Sequence, residues 1–296
     1  MEAIQRNSGK NPGRNSREIL SSNPRGGKFW VVIPAAGSGS RFARGGSAEA
    51  LPKQYLRLGD RTVLEWALAP FLARQDIHRI VVVLSADDNY WPSLTVARDP
   101  RISIAPGGQQ RSESVSNGLS AISPRHSIPR PAPAPDAAAD DCADEDDWVL
   151  VHDAARPCLA ASDLQLLMES LREDPVGGLL AVPLADTLKR GDAEDRVRQT
   201  VPREQLWRAL TPQMFRYGLL LRALNAAAHA APGAAITDES AAVELLGLRP
   251  RLVHGRADNL KITLPQDLAL AERILGAASA VGAAASAAGA RRLEGT

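Results

Sequence analysis

Two glycines and two cations near the N-terminal end of the sequence have the types and spacing of a phosphate-binding loop. The segment IPAAGSGSRF, residues 33–42, contains Gly37 and Gly39, which lack a Cβ and let the backbone approach an anion closely. Arg41 lies in the same turn, and Lys53 follows in LPKQY. A dinucleotide fingerprint needs a third glycine at the last position of this segment, which is phenylalanine here. The loop therefore favours a phosphate chain over a nicotinamide cofactor.

Other polar residues follow the apolar runs further along the sequence. They are Gly108, Arg111 and Ser114 after ISI, Asp153 and Arg156 after WVLV, and Asp258 and Lys261 around NLKIT. Because ligands of an open parallel sheet bind at the carboxyl ends of its strands, we expect these residues to form one rim. Such a set suits a polyphosphate with a divalent ion, and Mg²⁺ prefers oxygen ligands such as the carboxylate of Asp153.

A rim of this kind could catalyse attack by one phosphate on the α-phosphorus of a nucleoside triphosphate. The attacking phosphate is already ionised at neutral pH, so no general base is required. Repulsion between the anions limits the reaction, and Lys, Arg and Mg²⁺ reduce that repulsion. We therefore expect His152 to be a packed or hydrogen-bonded residue, and the five histidines lack the spacing of a zinc site.

Alternating strands and helices must position this rim. Apolar runs typical of buried strands are FWVVI, RIVVVL, ISI, WVLV, GGLLAVPL, RLVHG and NLKIT. Between them lie amphipathic segments, and two of these have capping-box spacing at their start, Thr62 with Glu65 and Ser162 with Gln165. The pattern predicts an α/β, Rossmann-like fold with a mostly parallel sheet covered by helices on both faces.

Composition limits the function and identifies the irregular segments. A net charge of +1 provides no electrostatic attraction for nucleic acid. The two cysteines favour a reducing cytoplasm over a disulfide framework. Residues 1–28 have the composition of a disordered extension without a secretory signal, and residues 123–147, rich in Pro, Ala and Asp, that of a mobile insertion. Residues 276–296 have the composition of a flexible Ala-rich tail. Their transfer into lipid would gain too little free energy to indicate a membrane span.

Seven segments, in order along the chain, are together typical of one enzyme family. They are PAAGSGSRF, LPKQYLRLGDRTVLEWAL, GGQQRSESVSNGL, VLVHDAARP, LTPQMF, ITDESAAVE and GRADNLKITLPQDLALAE. They resemble the 2-C-methyl-D-erythritol 4-phosphate cytidylyltransferases of the non-mevalonate isoprenoid pathway, which move CMP from CTP to that acceptor and release pyrophosphate. The resemblance implies a nucleotidyltransferase domain over residues 29–275, and a homodimer in which an arm at residues 184–205 reaches into the partner subunit.

The resemblance also implies a role for individual residues. The nucleotide site would comprise Pro34, Ala35, Ala36, Gly37, Gly39, Gly108, Arg111, Ser114, Asp153, Ala154 and Arg156, with Asp153 also binding Mg²⁺. The acceptor site would comprise Thr187, Arg203, Thr211, Thr237, Asp258 and Lys261, and the catalytic cations would be Arg41, Lys53, Arg203 and Lys261. Some members of the family have Asp where this chain has Gln109, so no carboxylate role is expected there.

Three alternatives remain open at this point. The same chemistry could act on another polyol phosphate such as ribitol 5-phosphate, since such enzymes share the loop. An NAD-dependent oxidoreductase is opposed by the missing third glycine and by Arg41 in the turn. An inactive protein that keeps the fold is opposed by the presence of both Arg41 and Lys53.

Overall fold

The computed structural model describes residues 27–37, 51–123, 142–230 and 236–278. The predicted N-terminal extension up to residue 26, the middle of the predicted insertion and the tail beyond residue 278 lie outside the described residues. Gly39 and Arg41 lie outside them too.

Seven strands form the central sheet. They are β1 (Phe29–Pro34), β4 (Ile77–Leu84), β5 (Ile102–Pro106), β6 (Trp148–Val151), β7 (Gly177–Pro183), β10 (Trp207–Arg216) and β11 (Arg251–His254). Their order across the sheet is β11-β7-β10-β6-β1-β4-β5. Strand β10 runs antiparallel to both β6 and β7, and the other neighbouring pairs are parallel. The predicted mostly parallel sheet is therefore confirmed.

Helices cover both faces of this sheet. They are α1 (Val63–Leu72), α2 (Arg111–Ala121), α3 (Ala161–Leu171), α4 (Tyr217–Ala230) and α5 (Glu239–Glu244), whereas a further helix, α6 (265–278), belongs to a separate apolar cluster with Val63 and Cys158. Because successive strand residues point to opposite faces, Val31 and Ile33 pack with α1 and α3, whereas Trp30 and Val32 pack with α2, α4 and α5. This double burial explains why the strand segments are apolar without alternation. None of the helices in the described ranges is long and apolar enough to cross a membrane.

The structure corrects two local predictions. The capping box of Thr62 and Glu65 is present at the start of α1, but α3 begins after Ala160, which makes no side-chain cap. Ser162 therefore lies inside α3 instead of preceding it, and Gln165 donates a hydrogen bond to Glu169 Oε1 at 2.7 Å.

The segment NLKIT, predicted as a strand, is an extended loop over residues 259–263. It forms no strand ladder and instead bonds to β10 and to the loop after β6. Asn259 Nδ2 donates to the Thr211 carbonyl at 2.8 Å, and the Ile262 N–H donates to the Ala155 carbonyl at 2.8 Å. The loop thereby passes across the carboxyl end of β6, where Lys261 faces the residues that follow that strand.

Two short hairpins stand apart from the main sheet. One pairs β2 (Arg57–Leu58) with β3 (Arg61–Thr62), and the other pairs β8 (Leu188–Gly191) with β9 (Val197–Val201). The β8–β9 hairpin lies within the predicted arm, and nearly all of its residues are exposed. By contrast, residues 142–147 at the end of the predicted insertion pack against the sheet, because the buried Asp147 accepts hydrogen bonds from Trp30 Nε1 and the Lys28 N–H.

Candidate active site

A cavity of about 600 Å³ opens at the carboxyl ends of β1, β4, β5 and β6. The predicted site residues that line it are Pro34, Ala35, Ala36, Gly37, Lys53, Gly108, Arg111, Ser114, Asp153, Ala154 and Lys261. The structure thus brings together residues that are distant in sequence at the edge where ligands of such sheets bind.

Close approach of two backbone segments shapes one wall of the cavity. The Ala35 N–H donates to the Val83 carbonyl at 2.8 Å, and the Gly107 N–H donates to the Leu84 carbonyl at 2.7 Å. A Cβ on Gly107 would lie 2.2 Å from the Cβ of Ala36, so only glycine fits there. The wall therefore presents backbone instead of side chains to a ligand.

Gln54 fixes the loop after β1, although no role for it follows from the sequence. Its Nε2 donates to the Ala35 carbonyl at 2.8 Å, and the residue is 5% exposed. Ser85, Ala86, Gln110 and Ala155 also line the cavity without having been predicted. The one available signal was position, because each of these residues is adjacent to a predicted site residue or to the end of a predicted strand.

Ser114 shapes the loop that contains Gly108. Its hydroxyl accepts from the Gly108 N–H at 3.1 Å and lies 3.1 Å from the Gln110 carbonyl, to which it can donate. The residue is 4% exposed at the start of α2. Ser114 therefore holds the backbone N–H groups of this turn in place beside the cavity.

Asp153 is the centre of the charged groups in the cavity. Its Oδ1 lies 3.0 Å from Arg111 Nε, and its Oδ2 lies 2.9 Å from Lys261 Nζ and 3.5 Å from Arg156 Nε. The Asp153 side chain is 9% exposed, whereas that of Lys261 is 37% exposed. Lys261 is therefore the cation of the three that a ligand in the cavity reaches most easily.

The ionisation of Asp153 follows from these contacts. Burial alone raises the pKa of its carboxyl group, but Arg111, Lys261 and Arg156 together outweigh burial and hold the pKa well below its ordinary value. Asp153 is therefore a carboxylate at neutral pH. It in turn stabilises three cations that would otherwise repel one another.

Lys53 reaches the cavity from a different element. It lies in a short helix, Lys53–Tyr55, and its Nζ donates to the Ile262 carbonyl at 3.1 Å. Ile262 follows Lys261 in sequence, so one loop orients both lysines. The two side chains thus flank the same space from different elements.

Three further residues, Arg156, Thr211 and His152, lie behind the rim. Arg156 is 9% exposed and donates to the Asn259 carbonyl at 2.7 Å. Thr211 Oγ1 accepts from the Asp153 N–H at 3.1 Å. His152 Nε2 lies 3.1 Å from the Arg156 carbonyl, which can only accept, so this nitrogen is the donor and Nδ1 accepts from the Thr211 hydroxyl at 2.9 Å. Arg156 and Thr211 therefore support Asp153 from behind.

Five predicted acceptor-site residues do not line the cavity: Thr211, which lies behind Asp153, and four others. Thr187, Arg203 and Thr237 are exposed, and Arg203 Nη1 donates to the Ala185 carbonyl at the base of the β8–β9 hairpin. Asp258 forms an ion pair with Arg256 and does not face the cavity. Of the six predicted acceptor-site residues, Lys261 alone therefore lines the cavity of its own chain.

The residues present fit a magnesium ion held mainly by phosphate. The described parts of the chain contain no group of three His, Cys, Asp or Glu side chains placed to bind a metal. Asp153 supplies one carboxylate on the cavity wall, and Mg²⁺ usually takes one or two carboxylates with phosphate and water oxygens. The single carboxylate agrees with a metal that enters with a polyphosphate.

Comparison with known proteins gives one family. The family model for 2-C-methyl-D-erythritol 4-phosphate cytidylyltransferase, IspD, matches residues 29–129 and 136–277. The enzyme of that name from Ectopseudomonas mendocina is 54% identical over 242 residues, which are 82% of this chain and 93% of that relative. The enzyme from Pseudomonas fluorescens strain SBW25 is 51% identical over 240 residues, 81% of this chain and 92% of that relative.

Solved structures agree with the sequence comparison. A crystal structure of 4-diphosphocytidyl-2C-methyl-D-erythritol synthase has a TM-score of 0.66 and 39% identity, and covers 84% of this chain and 98% of its own. The Francisella tularensis 2-C-methyl-D-erythritol 4-phosphate cytidylyltransferase has a TM-score of 0.67 and 32% identity, and covers 83% of this chain and 99% of its own.

The buried His152 predicts a dependence of stability on pH. Burial lowers the pKa of His152 to about 4, against an ordinary value of 6.5. Between these values the unfolded chain binds a proton that the folded chain does not. The free energy of unfolding should therefore decrease as pH falls from 6.5 to 4, by at most about 1.4 kcal/mol per pH unit from this group.

Urea unfolding at several pH values measures this contribution. His152→Gln should have a shallower slope than the wild type over that window, because glutamine does not titrate. His229→Gln, a change at an exposed histidine, should keep the wild-type slope. Identical slopes for the wild type and His152→Gln would contradict the prediction.

Proposed function

This chain belongs to the 2-C-methyl-D-erythritol 4-phosphate cytidylyltransferase family, and on that premise we propose that its cavity catalyses cytidylyl transfer from CTP. The acceptor phosphate attacks the α-phosphorus of CTP, the bond from that phosphorus to the bridging oxygen breaks, and pyrophosphate leaves. The observation that supports this most strongly is the Asp153 cluster, with Arg111, Arg156 and Lys261 gathered around one buried carboxylate. Lys53 flanks the same cavity.

In this proposal the two lysines stabilise charge that develops during the transfer. Lys261 is partly exposed, so its ammonium group can leave Asp153 Oδ2 for a phosphate oxygen. Lys53, anchored at the Ile262 carbonyl, also reaches the triphosphate, and Arg41 would add a further positive charge. Fixed cations of this kind reduce the repulsion between two anions without a general base. His152, which is buried and neutral, takes no part in proton transfer.

Asp153 would hold Mg²⁺ in the loaded enzyme, and the metal would supply charge neutralisation at the phosphates. The backbone turns at Pro34, Ala35, Ala36 and Gly37, and at Gly108, would bind the nucleotide, with Gly39 completing the first turn. Ser114, Ala154 and Arg156 hold the shape of this surface. These assignments are supported by the way the side chains converge on one cavity.

We further propose that the active form is a cytoplasmic homodimer. Thr187 and Arg203 lie on or beside an exposed hairpin and do not line their own cavity, which supports a role in the partner's cavity. Thr211, Thr237 and Asp258 would complete the acceptor site around Lys261. Free Cys142 and Cys158 are consistent with a reducing compartment, and burial raises the pKa of Cys158 to about 12, which keeps this thiol unreactive.

An assay of pyrophosphate release tests the proposed function. The purified enzyme should release pyrophosphate with CTP, Mg²⁺ and 2-C-methyl-D-erythritol 4-phosphate, and much less with ATP, GTP or UTP. Ribitol 5-phosphate and other polyol phosphates should be poor acceptors. Turnover with another polyol phosphate, and none with methylerythritol phosphate, would replace the proposed acceptor. No turnover with any pair of nucleoside triphosphate and acceptor would contradict the proposal.

Replacement of Lys53 tests its role in the transition state. Lys53→Ala should lower kcat by about 100-fold, the usual effect of removing one charge-stabilising group, with a much smaller change in the KM for CTP. Arg57→Ala, at an exposed residue nearby, is the matched control and should leave both constants unchanged. A Lys53→Ala variant that weakens CTP binding as much as turnover would show that Lys53 only binds substrate.

Mixed dimers test whether the arm acts across the subunit interface. Arg203→Ala should be inactive alone, whereas Arg198→Ala, also exposed on the hairpin, should stay active. In dimers re-formed from equal amounts of Arg203→Ala and Lys53→Ala chains, one site of each mixed dimer has both side chains. Random mixing then restores about a quarter of wild-type activity. No recovery would place Arg203 in the site of its own chain.

A further inference from the structure

Arg111 is held between two buried carboxylates. Its Nε lies 3.0 Å from Asp153 Oδ1, while Nη1 and Nη2 lie 2.6 and 3.1 Å from the two carboxylate oxygens of Glu239. Glu239 is 1% exposed. All three guanidinium nitrogens are therefore engaged, and the bidentate pair with Glu239 fixes the plane of the group.

Strong local contacts fix Glu239 itself. Asp238 accepts from the Ala241 N–H at 3.0 Å and from Gln213 Nε2 at 2.9 Å, and the Ser240 N–H donates to Gln213 Oε1 at 2.8 Å. The side chain of Gln213 thus clamps the residues on either side of Glu239. Gln213 lies on β10 opposite Val151, the last residue of β6. The clamp therefore ties Glu239 to the strand that leads to Asp153.

We infer that Glu239 is a positioning residue for the transfer reaction, acting through Arg111 on Asp153; this inference rests on the function proposed above. Glu239 holds both terminal nitrogens of Arg111, so that only Nε reaches Asp153. Asp153 Oδ2 is then left to Lys261 and Arg156. Arg111 is accordingly a bridge between two carboxylates, and among the described residues Lys53 and Lys261 are the cations that meet the phosphates.

The charges explain why the chain needs a second carboxylate here. Arg111, Arg156 and Lys261 surround the single carboxylate of Asp153, so Glu239 compensates one of the excess positive charges. A buried Arg without its partner is costly, and it moves toward the nearest remaining carboxylate. Without the Glu239 charge, the freed nitrogens of Arg111 would compete with Lys261 for Asp153. The position of the carboxylate and of Lys261 would then both change.

A double-mutant cycle in kcat/KM tests the inference. The variants are Glu239→Gln, Arg111→Gln and the double replacement, with Glu244→Gln as a control at an exposed residue of the same helix. Glu239→Gln should lose about tenfold to 100-fold in kcat/KM, as outer partners of a site commonly do. Because Glu239 acts through Arg111, the double variant should be no less active than Arg111→Gln alone. Glu244→Gln should match the wild type.

Each outcome decides between the inference and a merely structural role. A wild-type kcat/KM in Glu239→Gln would overturn the inference. So would a fold-loss in the double variant equal to the product of the two single losses. Turnover by the wild type in the same assay tests the proposed function independently. A failure of this inference can therefore be distinguished from a failure of the proposed function. Thermal unfolding reports whether each variant is folded. Should Glu239→Gln not fold, Glu239→Asp, which keeps the charge but is one methylene shorter, provides the test: a several-fold loss supports positioning, and full activity overturns it.

Discussion

The ion cluster around Asp153 is the interaction on which the rest of the site depends. Its carboxylate follows β6, and its contacts come from α2, from the turn after β6 itself and from the loop after β11. An isolated buried carboxylate would be too costly, and so would three adjacent cations. The carboxylate and the three cations therefore stabilise one another. The fold therefore concentrates positive charge at a single edge although the whole chain has a net charge of only +1.

The backbone around the cluster is organised to hold this charge in place. Asp153 is fixed through its N–H by Thr211, whose hydroxyl is oriented by the neutral His152. The antiparallel strand β10 thus contributes two supporting contacts, from Thr211 behind Asp153 and from Gln213 beside Glu239. A ligand with several negative charges would meet groups that are already positioned, so less rearrangement is needed during the reaction.

Local patterns predicted the fold better than they predicted the site. The apolar runs and the Thr62–Glu65 capping box depend on neighbouring residues, so the sequence alone contains that information. The run NLKIT is equally strand-like, but Asn259 bonds to Thr211 of β10 and Ile262 bonds to the loop after β6, a tertiary effect that no local pattern contains. Lys53 and Asp153 were predicted from their positions after strands. The pairing of Glu239 with Arg111 joins residues far apart in sequence and became visible only in three dimensions.

The stability of Asp153→Asn tests the central claim most directly. Urea unfolding at neutral pH should show a loss of about 3 kcal/mol or more, because removal of this charge leaves Arg111, Arg156 and Lys261 without the carboxylate that they share. A free energy of unfolding equal to that of the wild type would contradict the account. The three cations would then be held in place by something other than Asp153.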